Sequence, residues 1–362
     1  YHMEKALADG ACGVSLGLGY APEIFYSTDG LIRALAPLYQ SGVPICVHMR
    51  QEGDGVVDAL REMIEVARAL QTPLEVSHLK AIGGRNARKA VPEMLSLIAR
   101  AREEGLDVMC DAYPYTAGST QLIHVLPPEF QAGGTETLTK RLRDCAAREE
   151  MRARMETGSD FENITLLVGF ENVIAIGLRT DEYRRFEGKS VAEIAQTLQK
   201  DPFDTLFDLL AAEKCEAGMI DYISDEEDLK AILRAPFSGV ISDATYPGAG
   251  QVHPRVYGAF ARLIETYVVR ERVLTLEQAV HKVTLQAAER FSLAGKGKIE
   301  VGADADLLLF APEKIRERGT YLTPKACASG FDEVFVLGER VIENGEYRGG
   351  SSGEMLGLRM EY

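Results

Sequence analysis

No C-x-x-C pair occurs among the six cysteines of this chain, Cys12, Cys46, Cys110, Cys145, Cys215 and Cys327. They lie far apart and mostly beside apolar residues. That fits reduced, buried thiols in a cytoplasmic protein, not a disulfide framework. No signal peptide and no run of 18 apolar residues is present, so no membrane span is expected. Basic residues are the minority: 40 Lys and Arg stand against 55 Asp and Glu, a formal charge of −15. A nucleic-acid surface needs a basic face, so no nucleic-acid partner is expected. The charge of a small substrate stays open, because a local site can oppose the net charge. No G-x-G-x-x-G or Walker loop follows any apolar run, and there is no internal repeat or low-complexity segment.

What is present is a rhythm. Apolar runs at 13–18, 43–48, 73–78 and 106–113 read as strands. The stretches 28–41, 54–71 and 87–104 between them read as helices, the first capped by Thr28 and stopped at Gly42. Short strands, apolar on both faces and alternating with helices, mark a parallel sheet covered by helices. Polar residues recur at the C-terminal strand ends: His48, His78, then Asp111 and Tyr113. Residues 239–244 read as one more strand, ending in Asp243. Closed barrels place their active sites on that rim, so a barrel is expected over an open doubly wound sheet.

Between about 121 and 235 the rhythm breaks. A connection this long is read as a lid-like insertion, or as a helical excursion that only packs. Residues 274–293 read as helix. Short β segments follow at 298–300, 305–310, 333–338 and 340–346, with a hairpin turn at Gly338-Glu339. The expected organisation is 1–120 for barrel strands and helices, 121–235 for the insertion, 236–297 for the last barrel strand and helices, and 298–362 for a β-sandwich portion. The opening YHMEKALADG reads as the second half of a helix without a cap, and something upstream is expected to be absent.

The stretches 46-CVHMRQE-52 and 76-VSHLK-80 each set a histidine at a strand end with a basic residue two positions on. Positions i and i+2 of a strand share a direction, and neighbouring strands lie about 4.8 Å apart. The pair is therefore either two core histidines or two ligands of one metal, and zinc favours neutral imidazole nitrogen. Asp243 either joins that metal and takes a proton from its water, or caps a turn. Arg255, after Pro254, either clamps a substrate carboxylate or makes a surface salt bridge. Tyr113 and Ser119, in 111-DAYPYTAGST-120, either hydrogen-bond a bound acid or belong to a polar loop.

Together VHMRQE, SHLK, ISD with HPRVYGAFAR, and AVHKVTLQAAERFSLAGKGKIEVGADADLLLF resemble the N-acyl-D-amino-acid deacylases (D-aminoacylases) of the amidohydrolase superfamily. The motifs keep that family's order and spacing from about residue 5 to the end. The resemblance implies an α/β fold: a metal-dependent (β/α)8 TIM-like barrel with an inserted lid and a small β-sandwich. It implies zinc-dependent hydrolysis of N-acyl-D-amino acids to a carboxylate and a D-amino acid. His48 and His78 would be the Zn2+ ligands from the fifth and sixth strands. Asp243 would be the eighth-strand metal ligand, general base and then acid. Lys80 would lie near the substrate, and Arg255, Tyr113 and Ser119 would hold its carboxylate, with Tyr115 an alternative to Tyr113. His124, where the insertion begins, is a further candidate to face substrate.

The departures are specific. The family carries H-x-H on its first strand and an early cysteine ligand. None of the six histidines here forms H-x-H, and Cys12 does not match that cysteine. About five strands are recognisable where a closed barrel needs eight. The barrel is thus expected to lack its first strands, the missing N-terminal segment being absent or supplied by a separate chain. Two alternatives stand beside the deacylase: a cyclic amidase of the dihydroorotase or hydantoinase kind, and a catalytically incomplete fragment that needs a partner chain.

Overall fold

The structure is a computed structural model that describes residues 1–245 and 250–356. Its strands run in chain order as β1 (Val14–Gly17), β2 (Ile45–His48), β3 (Leu74–Val76), β4 (Val108–Ala112), β5 (Ala117–Gln121), β6 (Val173–Ile176), β7 (Gly218–Tyr222), β8 (Ser238–Val240), β9 (Leu307–Phe310), β10 (Phe331–Val336), β11 (Glu339–Glu343) and β12 (Glu346–Tyr347). They form three sheets: β1-β2-β3-β4-β8, β5-β7-β6 and β12-β11-β10-β9. The first is parallel throughout and the other two are antiparallel.

The parallel sheet follows from its apolar runs. Ile45, Val47, Leu74, Val76, Val108 and Cys110 are fully buried and belong to one core with the helices Val56–Leu70, Ala90–Glu103 and Glu226–Arg234. Alternation sends the intervening residues to the opposite face. There Ser15, Cys46, Glu75 and Met109, each the second residue of its strand, stand at one height. Consecutive strands are neighbours, as in a barrel wall. Among the described residues the sheet has five strands and does not close.

The insertion is more than helices. Its helices include Gly134–Arg141, Cys145–Thr157, Val191–Leu198 and Pro202–Ala212, which share a second apolar core with β6 and Met219 of β7. Its three-stranded sheet carries β5 alongside β7 over five residue pairs. The stretch 111–120, for which a polar loop was one of two readings, thus runs into a strand at Ala117–Gln121. Ala-Gly-Ser-Thr has little strand propensity of its own, and β7 supplies the pairing.

Other boundaries shift for local reasons. Ser27, not Thr28, caps the helix Thr28–Ala34, its hydroxyl accepting from Gly30 N, and Pro37 lies in a separate turn, Ala36–Leu38. Within the insertion, the helices Gly134–Arg141 and Cys145–Thr157 are separated at Leu142–Asp144, where Asp144 caps the second. β8 ends at Val240, so Asp243 lies beyond the strand, in the left-handed region at φ +48°. Lys298–Glu300 forms no strand. The hairpin turn is Leu337-Gly338, both at positive φ. Cys145 and Cys327 are exposed, not buried. No described helix is long and apolar enough to cross a membrane.

Candidate metal and substrate site

The site is built at the C-terminal rim of the parallel sheet. His48 is the last residue of β2, level with Gly17 of β1. His78 sits two residues past β3 at φ +42°. That left-handed turn is costly for histidine and is pinned from β4: the His78 backbone N–H donates to Asp111 Oδ1 at 2.5 Å, and Leu79 N–H to the Asp111 carbonyl at 2.8 Å. The two rings come together with His48 Nδ1 3.1 Å from His78 Nε2. His48 stacks on Tyr20, ring centres 4.5 Å apart. A Cβ at Gly19 would sit 2.6 Å from His48 Nε2, so only glycine leaves this ring its place.

The pair fits a metal. A tetrahedral zinc with ligands at about 2.0–2.1 Å holds two nitrogens roughly 3.3 Å apart, close to the observed separation. Burial pulls the His48 imidazole down to about 3, outweighing Glu52, so its ring is neutral and its lone pair free at pH 7. Glu52 completes a group of three whose ligand atoms lie within 4.8 Å of one another. Its Oε1 is 3.0 Å from His78 Nδ1 and 2.6 Å from Lys80 Nζ. Burial pushes the Glu52 carboxyl up, but the Lys80 ammonium, with the hydrogen bond from His78, outweighs it and holds it well below the carboxylate range. With Nε2 on a metal, Nδ1 carries the proton and donates to Glu52, the carboxylate–histidine arrangement that orients metal ligands. Lys80 is buried and raised: burial alone would lower it, but Glu52 overrides.

The remaining sequence candidates line the same cavity: Asp243, Tyr113, Ser119 and Arg255. Asp243 Oδ2 accepts from Arg255 Nη1 at 2.8 Å and lies outside the histidine–Glu52 group. Arg255 is 2% exposed, so it is not a surface salt-bridge residue. Its Nη2 donates to the Ser119 carbonyl at 3.0 Å, its plane lies 4.5 Å over the Tyr113 ring, and its Nε has no partner among the described residues. Burial pushes the Tyr113 phenol up to about 12, against the pull of Lys80 and Arg255, so it keeps its proton. The Ser119 hydroxyl donates to the Met219 carbonyl at 2.8 Å and must rotate to reach a ligand. Tyr115 turns away to Glu317 at 2.6 Å. Arg50, expected to share His48's direction, pairs with Glu62 at 2.9 Å outside the cavity.

Sequence reasoning missed three acids. Glu52 stood inside the quoted VHMRQE, but four residues past a strand end no periodicity predicts where it points. Glu162 and Asp221 come from the insertion, more than 80 residues from either histidine, and line the same cavity. Burial and Glu52 push the Glu162 carboxyl up to about 8, and its Oε2 accepts from the Glu52 backbone N–H at 2.6 Å. His124 also lines the cavity, its ring 4.2 Å from Tyr20.

A helix-covered parallel sheet with paired histidines and carboxylates at its C-terminal rim is the kind of scaffold on which metal-dependent hydrolases are built. The chain belongs to the amidohydrolase family, whose model matches residues 28–328. It is 31% identical over 356 residues to a D-aminoacylase of Alcaligenes xylosoxydans xylosoxydans, covering 98% of this chain and 63% of that protein. It is similar to a solved D-aminoacylase with a binuclear metal centre, at TM-score 0.77 and 29% identity over 98% of this chain and 64% of that one. It is also similar to the N-acyl-D-glutamate deacylase of Bordetella bronchiseptica, solved with zinc and a phosphonate inhibitor. That match has TM-score 0.75 and 29% identity, covering 93% of this chain and 61% of the other. The chain thus spans a little under two thirds of the length of these relatives.

Proposed function

We propose that this chain carries the site of a zinc-dependent hydrolase that cleaves the amide of N-acyl-D-amino acids, giving a carboxylate and a D-amino acid. One observation carries the reading: the ring nitrogens of His48 and His78 meet at 3.1 Å in the cavity that also holds Asp243 and Arg255. The relatives' deacylase activities and the zinc of the Bordetella structure supply the substrate class and the metal.

His48 and His78, with Asp243 as the third group, would hold the metal, and Glu52 would orient His78. A bound Zn2+ supplies Lewis acidity to the amide oxygen and lowers the pKa of water towards 7. Asp243 accepts the proton of the attacking water and returns it to the leaving nitrogen. Arg255 Nε is the N–H left to donate to a substrate carboxylate, with the Tyr113 hydroxyl as a second donor. Anchoring that carboxylate fixes the scissile bond against the reacting groups. Lys80, matched to Glu52, keeps the rim in its charged arrangement.

The test is release of free amine from a panel of N-acetyl-D-amino acids by the zinc-loaded chain, with the L-enantiomers and a hydantoin as controls. Zinc-dependent release from the D-series, lost in His48→Ala and His78→Ala, is expected. No release from any D-substrate by chain shown to hold zinc overturns the reading.

A further inference from the structure

Six side chains of fixed charge type line the cavity: Glu52, Lys80, Glu162, Asp221, Asp243 and Arg255. Five are accounted for. Lys80 is matched to Glu52 at 2.6 Å and Arg255 to Asp243 at 2.8 Å. Glu162 takes the Glu52 backbone N–H. Asp221 is left over. It is 3% exposed, and its Oδ1 has no hydrogen-bond partner among the described residues. A buried carboxylate oxygen without a partner is unfavourable, so its persistence in a cavity wall points to a ligand that completes it.

The local structure puts it there. Asp221 lies on β7, the central strand of the insertion sheet, directly opposite Gly118 of β5. A Cβ on Gly118 would sit 2.7 Å from Asp221 Oδ1, so the glycine clears the space that the carboxylate occupies. Asp221 stands on the insertion sheet and not at the end of a parallel strand, where His48, His78 and Asp243 stand, and it is not among the groups gathered at the histidine nitrogens. Burial pushes its carboxyl up to about 6, with Lys80 and Arg255 pulling the other way. Asp221 is therefore largely ionised at neutral pH. Ile223 shares the Gly118 position with Asp221, and Ile82, Leu126 and Ile164 are the other aliphatic side chains of the cavity lining.

We propose that Asp221 is the specificity-determining residue of this site, and that it selects substrates whose D-amino-acid side chain ends in a cation, lysine- or arginine-like. The inference rests on the deacylase reading and narrows it. The cationic tip pairs with Asp221 while its methylene stem lies along the isoleucine wall, the way long basic side chains bury their stems. An apolar side chain leaves the carboxylate dry and unpaired, and an acidic one adds repulsion. Sites built around a polar partner discriminate strongly against analogues that lack it.

The experiment compares kcat/KM for the N-acetyl derivatives of D-arginine, D-lysine, D-leucine and D-glutamate with the zinc-loaded chain. The basic substrates should exceed D-leucine by about 100-fold. Asp221→Asn, nearly isosteric, should shrink that ratio at least tenfold, and Asp221→Leu should reverse it. A wild-type preference for D-leucine or D-glutamate, or a ratio unmoved by Asp221→Asn, overturns the inference and leaves the deacylase reading standing. If no derivative is hydrolysed, the deacylase reading falls, and calorimetric binding of the same compounds decides the role of Asp221. Tighter binding of N-acetyl-D-arginine than of N-acetyl-D-leucine, lost in Asp221→Asn, supports it; equal or absent binding overturns it.

Discussion

Asp243 occupies a left-handed turn beyond β8, with one carboxylate oxygen tied to Arg255. Asparagine tolerates that backbone well, so Asp243→Asn should fold normally. It should keep zinc on the histidine pair and lose turnover by about 10²–10⁴-fold, the usual worth of a proton-transfer group. Parallel measurements of zinc content and amine release check both halves. Glu52 tests a different function. It is 3% exposed and serves His78 and Lys80 at once. Glu52→Gln strands the Lys80 ammonium, which should cost about 3–5 kcal/mol of stability. It also loosens His78, which should weaken zinc binding about 10–100-fold. Urea unfolding and a competitive zinc titration read the two effects separately. The histidines were legible in the sequence because a strand end is a fixed reference point. Glu52 was not, because a turn brings it back beneath His78, and turns of this kind leave no period to count.

At the scale of elements, β1 to β4 were legible to within about two residues at each end, since their apolar runs have no other use, whereas β8 ends at Val240, four residues before the end read from the sequence. β5 was invisible because its pairing with β7 joins segments about 100 residues apart. The connection of β5 to the loop after β8 has a consequence for acid stability. His253 is 1% exposed; its Nε2 lies 3.0 Å from the Ala117 carbonyl, and its Nδ1 accepts the Arg255 backbone N–H at 3.0 Å. Both ring nitrogens are committed to the neutral form. Burial first, then Arg255, holds its pKa well below the ordinary value. Burial likewise lowers His124 to about 4. Unfolded histidines bind protons below about pH 6.5, where these folded ones do not. Stability should therefore be retained above pH 6.5 and fall as pH drops towards 4, by up to about 1.4 kcal/mol per pH unit for each such histidine. Urea midpoints at pH 7, 6 and 5 measure the slope, and His253→Gln should flatten it.

At the scale of the whole molecule, the weakest cover lies over the last sheet. Leu307, Leu308 and Leu309 on β9 are 37%, 55% and 62% exposed, and Ile299 and Val301 are almost fully so. Contiguous apolar surface of this kind drives association. The chain should bind a hydrophobic dye and self-associate as concentration rises, despite its charge of −15. Leu308→Lys with Leu309→Lys should reduce dye fluorescence and light scattering together while leaving the far-ultraviolet spectrum unchanged. Sequence reading marked 305–310 as a strand but gave no sign of which face would be covered, because three consecutive leucines erase the alternation that tells the faces apart.

The cavity has two walls of separate descent in the chain. His48, His78 and Asp243 follow strands of the parallel sheet, whereas Ser119 and Asp221 ride on β5 and β7 of the insertion. Under the proposed reading, replacing a few residues on two neighbouring strands would retune what the site accepts, while the histidines and Asp243 keep their places on a separate sheet.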